Sequence, residues 1–93
     1  MKRIGELPDG LNAYKRTPTF TEATVPDGLL RDHHTKSGVW GVIHVESGSL
    51  CYVVPGRDLE VALDAGDEAV VVPREPHHVR PIGAVQFHVE FWR

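Results

Sequence analysis

The feature that most restricts the fold of this chain is its punctuation. Short runs rich in β-branched and aromatic residues alternate with turns built on proline and glycine, at roughly ten-residue spacing. "FTEATV" (20–25) ends at "PDG", "LLRDHH" (29–34) at "TKSG" and "VWGVIHVE" (39–46) at "SGS". "LCYVV" (50–54) ends at "PGRD", "LEVAL" (59–63) at "DAGD", and "EAVVV" (68–72) enters the proline-bracketed "PREPHHVRP". "PIGA" (81–84) turns the chain once more, before "VQFHVEFW" (85–92). No window sustains a helical period, so the pattern predicts an all-β sandwich or barrel of about eight short strands. At 93 residues there is material for one core and therefore one domain, 1–93, with residues 1–13 as an N-terminal arm or edge strand.

Composition removes several function classes. The net charge is −3 and no basic stripe stands out, which takes away the electrostatic footprint of a nucleic-acid binder. The single cysteine, Cys51, sits in an apolar run and reads as a small buried hydrophobe, so no internal disulfide framework is available. No segment approaches the roughly 20 apolar residues of a membrane-spanning helix, and the expected location is the cytoplasm.

The chemistry is concentrated in six histidines: His33 and His34, His44, His77 and His78, and His88. Neutral imidazole serves zinc, iron, copper and nickel, and a barrel can bring ligands together from distant strands. Neighbours on a strand point to opposite faces, so each pair offers one inward candidate, and the other member reads as solvated. Pro73 and Pro76 hold the chain off regular pairing just before His77, a rigid approach that suits a ligand; the plainer reading is that they end one strand and shape a turn. The last strand carries Val85, Phe87, Val89 and Phe91 on one face and Gln86, His88, Glu90 and Trp92 on the other. Burying the apolar face gains ~1.5–3 kcal/mol per large side chain. His88 and Glu90 therefore turn inward only if something else covers those four residues. His44 reads equally as a core histidine or a ligand. Asp64, Asp67 and Glu68 surround a turn and read as solvated. Arg31 and Lys36 lie near His33, at the mouth of such a barrel, where they read as surface residues or as attractants for an anion.

The segment "GDEAVVVPREPHH" resembles the second sequence motif of the cupins, in which a glycine-led strand, a proline and then a histidine deliver a metal ligand into a small jelly-roll barrel. More closely, residues 14–54 and 71–93 resemble the small cupin-like domain of YeaR-like proteins and of the N-terminal part of some tellurite-resistance TehB proteins. The resemblance implies a cupin-like jelly-roll barrel and a divalent transition metal such as zinc, iron or nickel. It implies His33 and His77 as ligands, with His88, Glu90 or His44 completing the sphere and Arg31, Trp40 and Tyr52 beside the pocket. The chain departs from the first cupin motif: Arg31 stands where an HxH partner would be, and Trp40 or Gly41 lies near the glutamate position.

The resemblance further implies a part in handling tellurite, other oxyanions or nitrosative stress, with the reaction unspecified and catalysis open. The competing reading is a metal-free module that binds or senses a small molecule, and a third is an accessory partner of a methyltransferase, as in the fused relatives. A small β domain has edge strands to protect, which predicts a homodimer.

Overall fold

The computed structural model describes residues 1–93. Seven strands form one sheet: β1 (Arg3–Ile4), β2 (Ala13–Arg16), β3 (Phe20–Thr21), β4 (Trp40–Val54), β5 (Leu59–Asp64), β6 (Glu68–Val71) and β7 (His78–Trp92). Two 3₁₀ turns, Asp27–Leu30 and Pro55–Arg57, are the only helical elements. The all-β expectation holds, but the strands differ from the expected runs: "LLRDHH" (29–34) is no strand, since it begins in a 3₁₀ turn and pairs only through an isolated bridge at His33, and two expected breaks are absent. "SGS" and "PIGA" do not end strands; β4 and β7 each run unbroken through them for 15 residues.

The two turn-like sequences lie opposite one another in the antiparallel β4–β7 pair, so their irregularities merge into one bend. The register shifts between Val45 and Ser47 and again between Gly48 and Ser49. Bulged strands bend and twist without losing their partner. Gly48 has φ +73°, and a Cβ at this position would collide with the Ala84 carbonyl oxygen. The extra residue, Glu46, also reverses the alternation: Ile43 and Val45 face the core before the bend, Leu50, Tyr52 and Val54 after it.

β6 and β5 pair with the first and second halves of β4 on one edge, while β2 and β3 pair with the far edge of β7. β1 joins β6 in parallel. The path β1-β6-β4-β7-β2 does not close on itself, so the sheet curls into an open, cupin-like barrel. Its concave face buries Ile43, Leu50, Tyr52, Leu63, Val71 and Phe87, and Phe20 packs on Phe87 with ring centroids 5.7 Å apart.

The N-terminal arm crosses the convex face. Gly5 lies so close to Val70 that an added Cβ would be 3.2 Å from the valine Cβ, and this cover is why "AVV" can be apolar on both faces. Asp67, expected in solvent, is instead only 5% exposed. Its carboxylate accepts the backbone N–H of Asp64 and that of Lys2, each at 2.7 Å, which ties down both the turn and the arm. Those two donations, Asp64 first, hold its pKa below the usual range. No helix is long and apolar enough to cross a membrane.

Candidate functional site

His33 and His77 face each other as an isolated antiparallel bridge, each backbone N–H donating to the other's carbonyl at 2.9 Å. A doubly bonded antiparallel pair projects both side chains from the same face. The ring centroids are accordingly 4.2 Å apart, with planes tilted by 57°. Backbone pairing thus makes the convergence. His77 immediately precedes β7 and shares the inward parity of Val79, whereas His78 points away and binds Asp32 through Nδ1 at 2.7 Å.

Each inner ring has one nitrogen committed. His33 Nδ1 lies 2.9 Å from the Arg31 carbonyl and His77 Nδ1 lies 2.9 Å from that of Glu75. A carbonyl oxygen can only accept, so Nδ1 is the donor in both rings, and in the neutral imidazole each Nε2 keeps its lone pair. Burial, the largest cause, pushes the His77 pKa below its ordinary value; the His33 ring acts in the same direction, against the Glu75 carbonyl, which raises it. The arrangement is two adjacent imidazoles whose Nδ1 hydrogens are fixed by backbone oxygens. That combination orients metal-ligating histidines elsewhere.

The pair sits in the wall of a cavity of about 580 Å³ on the concave side. Phe20, Phe87, Val89 and Phe91 come from the strands, and Pro26, Leu29 and the 33–36 segment close the opposite side. His34, the exposed member of its pair, also reaches the rim.

The other three anticipated ligands are on the convex face. β4 and β7 pair His44 with His88 and Val42 with Glu90, and the apolar side of β7 takes the core. Burial of Phe87 and Val85 decides the orientation and leaves His88 and Glu90 on the opposite face. His44 Nδ1 is 2.8 Å from Glu68 Oε2 and its Nε2 is 3.3 Å from Glu90 Oε1. His88 stacks on His44 at 4.8 Å and places Nδ1 2.6 Å from Glu46 Oε2. Trp92 Nε1 donates to Glu90 at 2.9 Å, and Arg3 stands 3.5 Å from Glu68. Carboxylates occupy these three histidine nitrogens, and His44, Glu68 and Glu90 line a separate groove under the arm together with Arg3, Glu6 and Trp92.

The sheet therefore separates His33 and His77 from His88, Glu90 and His44, the candidates for completing their sphere, and no cluster of three or more His, Cys, Asp or Glu arranged to hold a metal is formed. Nor do the expected pocket residues line the concave cavity. Arg31 contributes only its carbonyl to His33. Trp40 pairs in register with Trp92 on the convex side. Tyr52 is fully buried behind His77, ring centroids 5.9 Å apart, with no hydrogen-bond partner for its hydroxyl. Burial pushes its pKa up to about 12. Sequence reasoning placed Lys36 at the mouth, where it lies, but missed Glu68 and Glu46 as histidine partners and Lys15 and Arg93 as rim residues. Strand alternation placed Glu68 opposite in parity to Ala69 and Val71, but its contact with His44 depends on the β4–β6 register, for which no local signal exists.

The geometry defines a class: an open cupin-like barrel with a paired-histidine wall. The sequence model of the TehB-like domain matches residues 15–89, and the chain belongs to that family. No curated protein sequence matches it. A crystal structure of a protein from E. coli strain K12 superposes with a TM-score of 0.88 at 22% identity, covering 97% of both chains. TehB from Haemophilus influenzae superposes with a TM-score of 0.80 at 24% identity over 90% of this chain, which spans only 32% of TehB. A cupin-2 domain protein from Shewanella frigidimarina gives 0.55 at 16% identity, over 86% of this chain and 64% of its own. At these identities the likeness is one of fold.

Proposed function

We propose that this domain holds a divalent transition metal in its concave cavity through His33 Nε2 and His77 Nε2, and presents it to a small ligand. The observation that carries the reading is the matched pair of Nδ1 donations to the Arg31 and Glu75 carbonyls, which leaves two accepting nitrogens on adjacent rings. The donor set fits zinc, nickel or iron(II), borderline ions that accept imidazole. Bound there, such an ion would act as a Lewis acid toward an oxygen or sulfur donor. The chain's own contribution is to fix tautomer and ring orientation, exclude water from the apolar wall, and keep His77 unprotonated through burial. With two protein ligands the remaining positions belong to water or to the small ligand. Membership of the TehB-like family supports extending the reading to a part in tellurite or related stress handling.

Metal analysis of protein purified without a histidine tag, after equilibration with zinc, nickel or iron(II) and desalting, tests this. Near-stoichiometric metal that vanishes in His33→Ala and His77→Ala, both folded by circular dichroism, is the expected result. Absence of uptake by the wild type under every loading condition removes the proposal and leaves a metal-free binding module.

A further inference from the structure

Resting on the reading of the concave cavity as the binding site, we infer that its ligand is an organic anion, one acidic group carried on an apolar body. The lining separates by chemistry. Phe20, Leu29, Phe87 and Phe91 supply apolar walls, while Lys15, Lys36 and Arg93 stand at the rim. No Asp or Glu side chain lines the cavity, although the chain contains 13 and carries a net charge of −3.

Lys2, Arg3, Arg57 and Arg80 form salt bridges with carboxylates. Lys15, Lys36 and Arg93 form none, as is also true of Arg16, Arg31 and Arg74, but of these six only Lys15, Lys36 and Arg93 line the cavity. Arg93 stacks its guanidinium over the Tyr14 ring at 4.0 Å, which holds the group in place while leaving its in-plane donors free for a carboxylate fork. Unpaired cations around a low-dielectric hollow focus positive potential into it and repel cationic ligands.

Size and wall chemistry then choose among anions. At about 580 Å³ the cavity is in the range of small-molecule sites. An inorganic oxyanion would fill a small part of it and gain nothing from the aromatic walls. A ligand with an acidic head and an apolar body engages both halves of the lining.

The test is calorimetric titration of the full chain with 4-phenylbutyrate, its neutral amide, phosphate and tellurite, each on protein dialysed against EDTA and on zinc-equilibrated protein. The expected result is one phenylbutyrate per chain, bound at least about tenfold more tightly than the amide and weakened by salt. The exposed rim triple variant Lys15→Gln/Lys36→Gln/Arg93→Gln, folded by circular dichroism, should lose about tenfold in affinity, while Arg57→Gln/Arg80→Gln should not change it. Equal affinity for phenylbutyrate and its amide, binding of only phosphate or tellurite, or unchanged affinity in the rim variant overturns the inference. Zinc uptake without phenylbutyrate binding also overturns it and spares the metal reading. Phenylbutyrate binding with no zinc uptake sustains the inference and removes the metal.

Discussion

The molecule contains two cross-strand histidine pairs that look alike and are chemically opposite. His33 and His77 bridge on the concave side with rings 4.2 Å apart, and His44 and His88 pair across β4 and β7 on the convex side with rings 4.8 Å apart. The inner rings give their Nδ1 hydrogens to backbone carbonyls and keep Nε2 free. On the convex side, carboxylates of Glu68 and Glu90 bracket His44, and Glu46 holds His88. Residue type and cross-strand pairing are shared, although the inner rings are tilted by 57° and the outer ones stack at 19°. The chemistry is set by what each nitrogen meets, since a backbone oxygen fixes a tautomer and leaves a ligand, whereas two carboxylates consume the His44 ring.

The largest expected difference between the pairs is in metal retention. Alanine at His33 or His77 should abolish stoichiometric zinc, whereas alanine at His44 or His88 should leave it unchanged in the same elemental analysis. Equal losses from both pairs would sink the distinction.

Stability separates them next. His44→Leu leaves Glu68 and Glu90 without their shared partner and should cost about 1 kcal/mol in urea unfolding. A double-mutant cycle with Glu68→Gln should return a coupling of ~0.5–1 kcal/mol, since both side chains are about one-quarter to one-third exposed. A coupling near zero would reduce the convex cluster to a surface decoration.

Acidification offers a third contrast. His77 titrates below its ordinary value of 6.5 in the folded protein because burial disfavours the cation. The unfolded chain therefore binds more protons in that window, and this contribution to stability, complete above the unfolded pKa, is lost as pH falls through 6.5 toward the folded pKa. Glu46 is also shifted down, first by the His88 hydrogen bond and then by Thr19. Its contribution is present above the unfolded value of 4.5 and is lost only at lower pH, as the folded pKa is crossed. Urea midpoints measured stepwise from about pH 7.5 to 4 should thus show the inner pair failing first. His77→Gln should flatten the upper part of that curve; an unaltered slope would count against the neutral-imidazole assignment.

The smallest effect belongs to Tyr52, behind the inner pair. Its buried hydroxyl makes no hydrogen bond of good geometry, although the Arg57 side chain lies near enough to oppose the burial-driven rise in its pKa, so Tyr52→Phe should be neutral or raise stability by up to ~1 kcal/mol, with zinc uptake intact. A loss larger than that would reveal a partner for the hydroxyl.

Much of this was legible in the chain. Alternation in "VQFHVEFW" separated the apolar face from His88 and Glu90, and the energy of burying Val85 and Phe87 already weighed against those two as inward ligands. Pro73 and Pro76 singled out the approach to His77. The strand number was harder to read, because "SGS" and "PIGA" have turn composition and become bulges only when placed opposite each other. The rim was half hidden: Lys36 was legible at the mouth beside His33, whereas Lys15 and Arg93 are far apart along the chain and ordinary in their local contexts.

Local pattern by itself determined the β class and that each of the pairs His33/His34 and His77/His78 offers one inward side chain, because side-chain direction in a strand follows a period of two that neighbours alone establish. The family resemblance singled out His33 and His77, and the parity reversal at Glu46 appeared only in the paired sheet. Tertiary pairing decided which histidines met, which met carboxylates, and where unpaired cations gathered. Those outcomes depend on register between distant segments, as for His44 with Glu90, 46 residues away, and for Lys15 paired opposite Phe91, and no local periodicity encodes register.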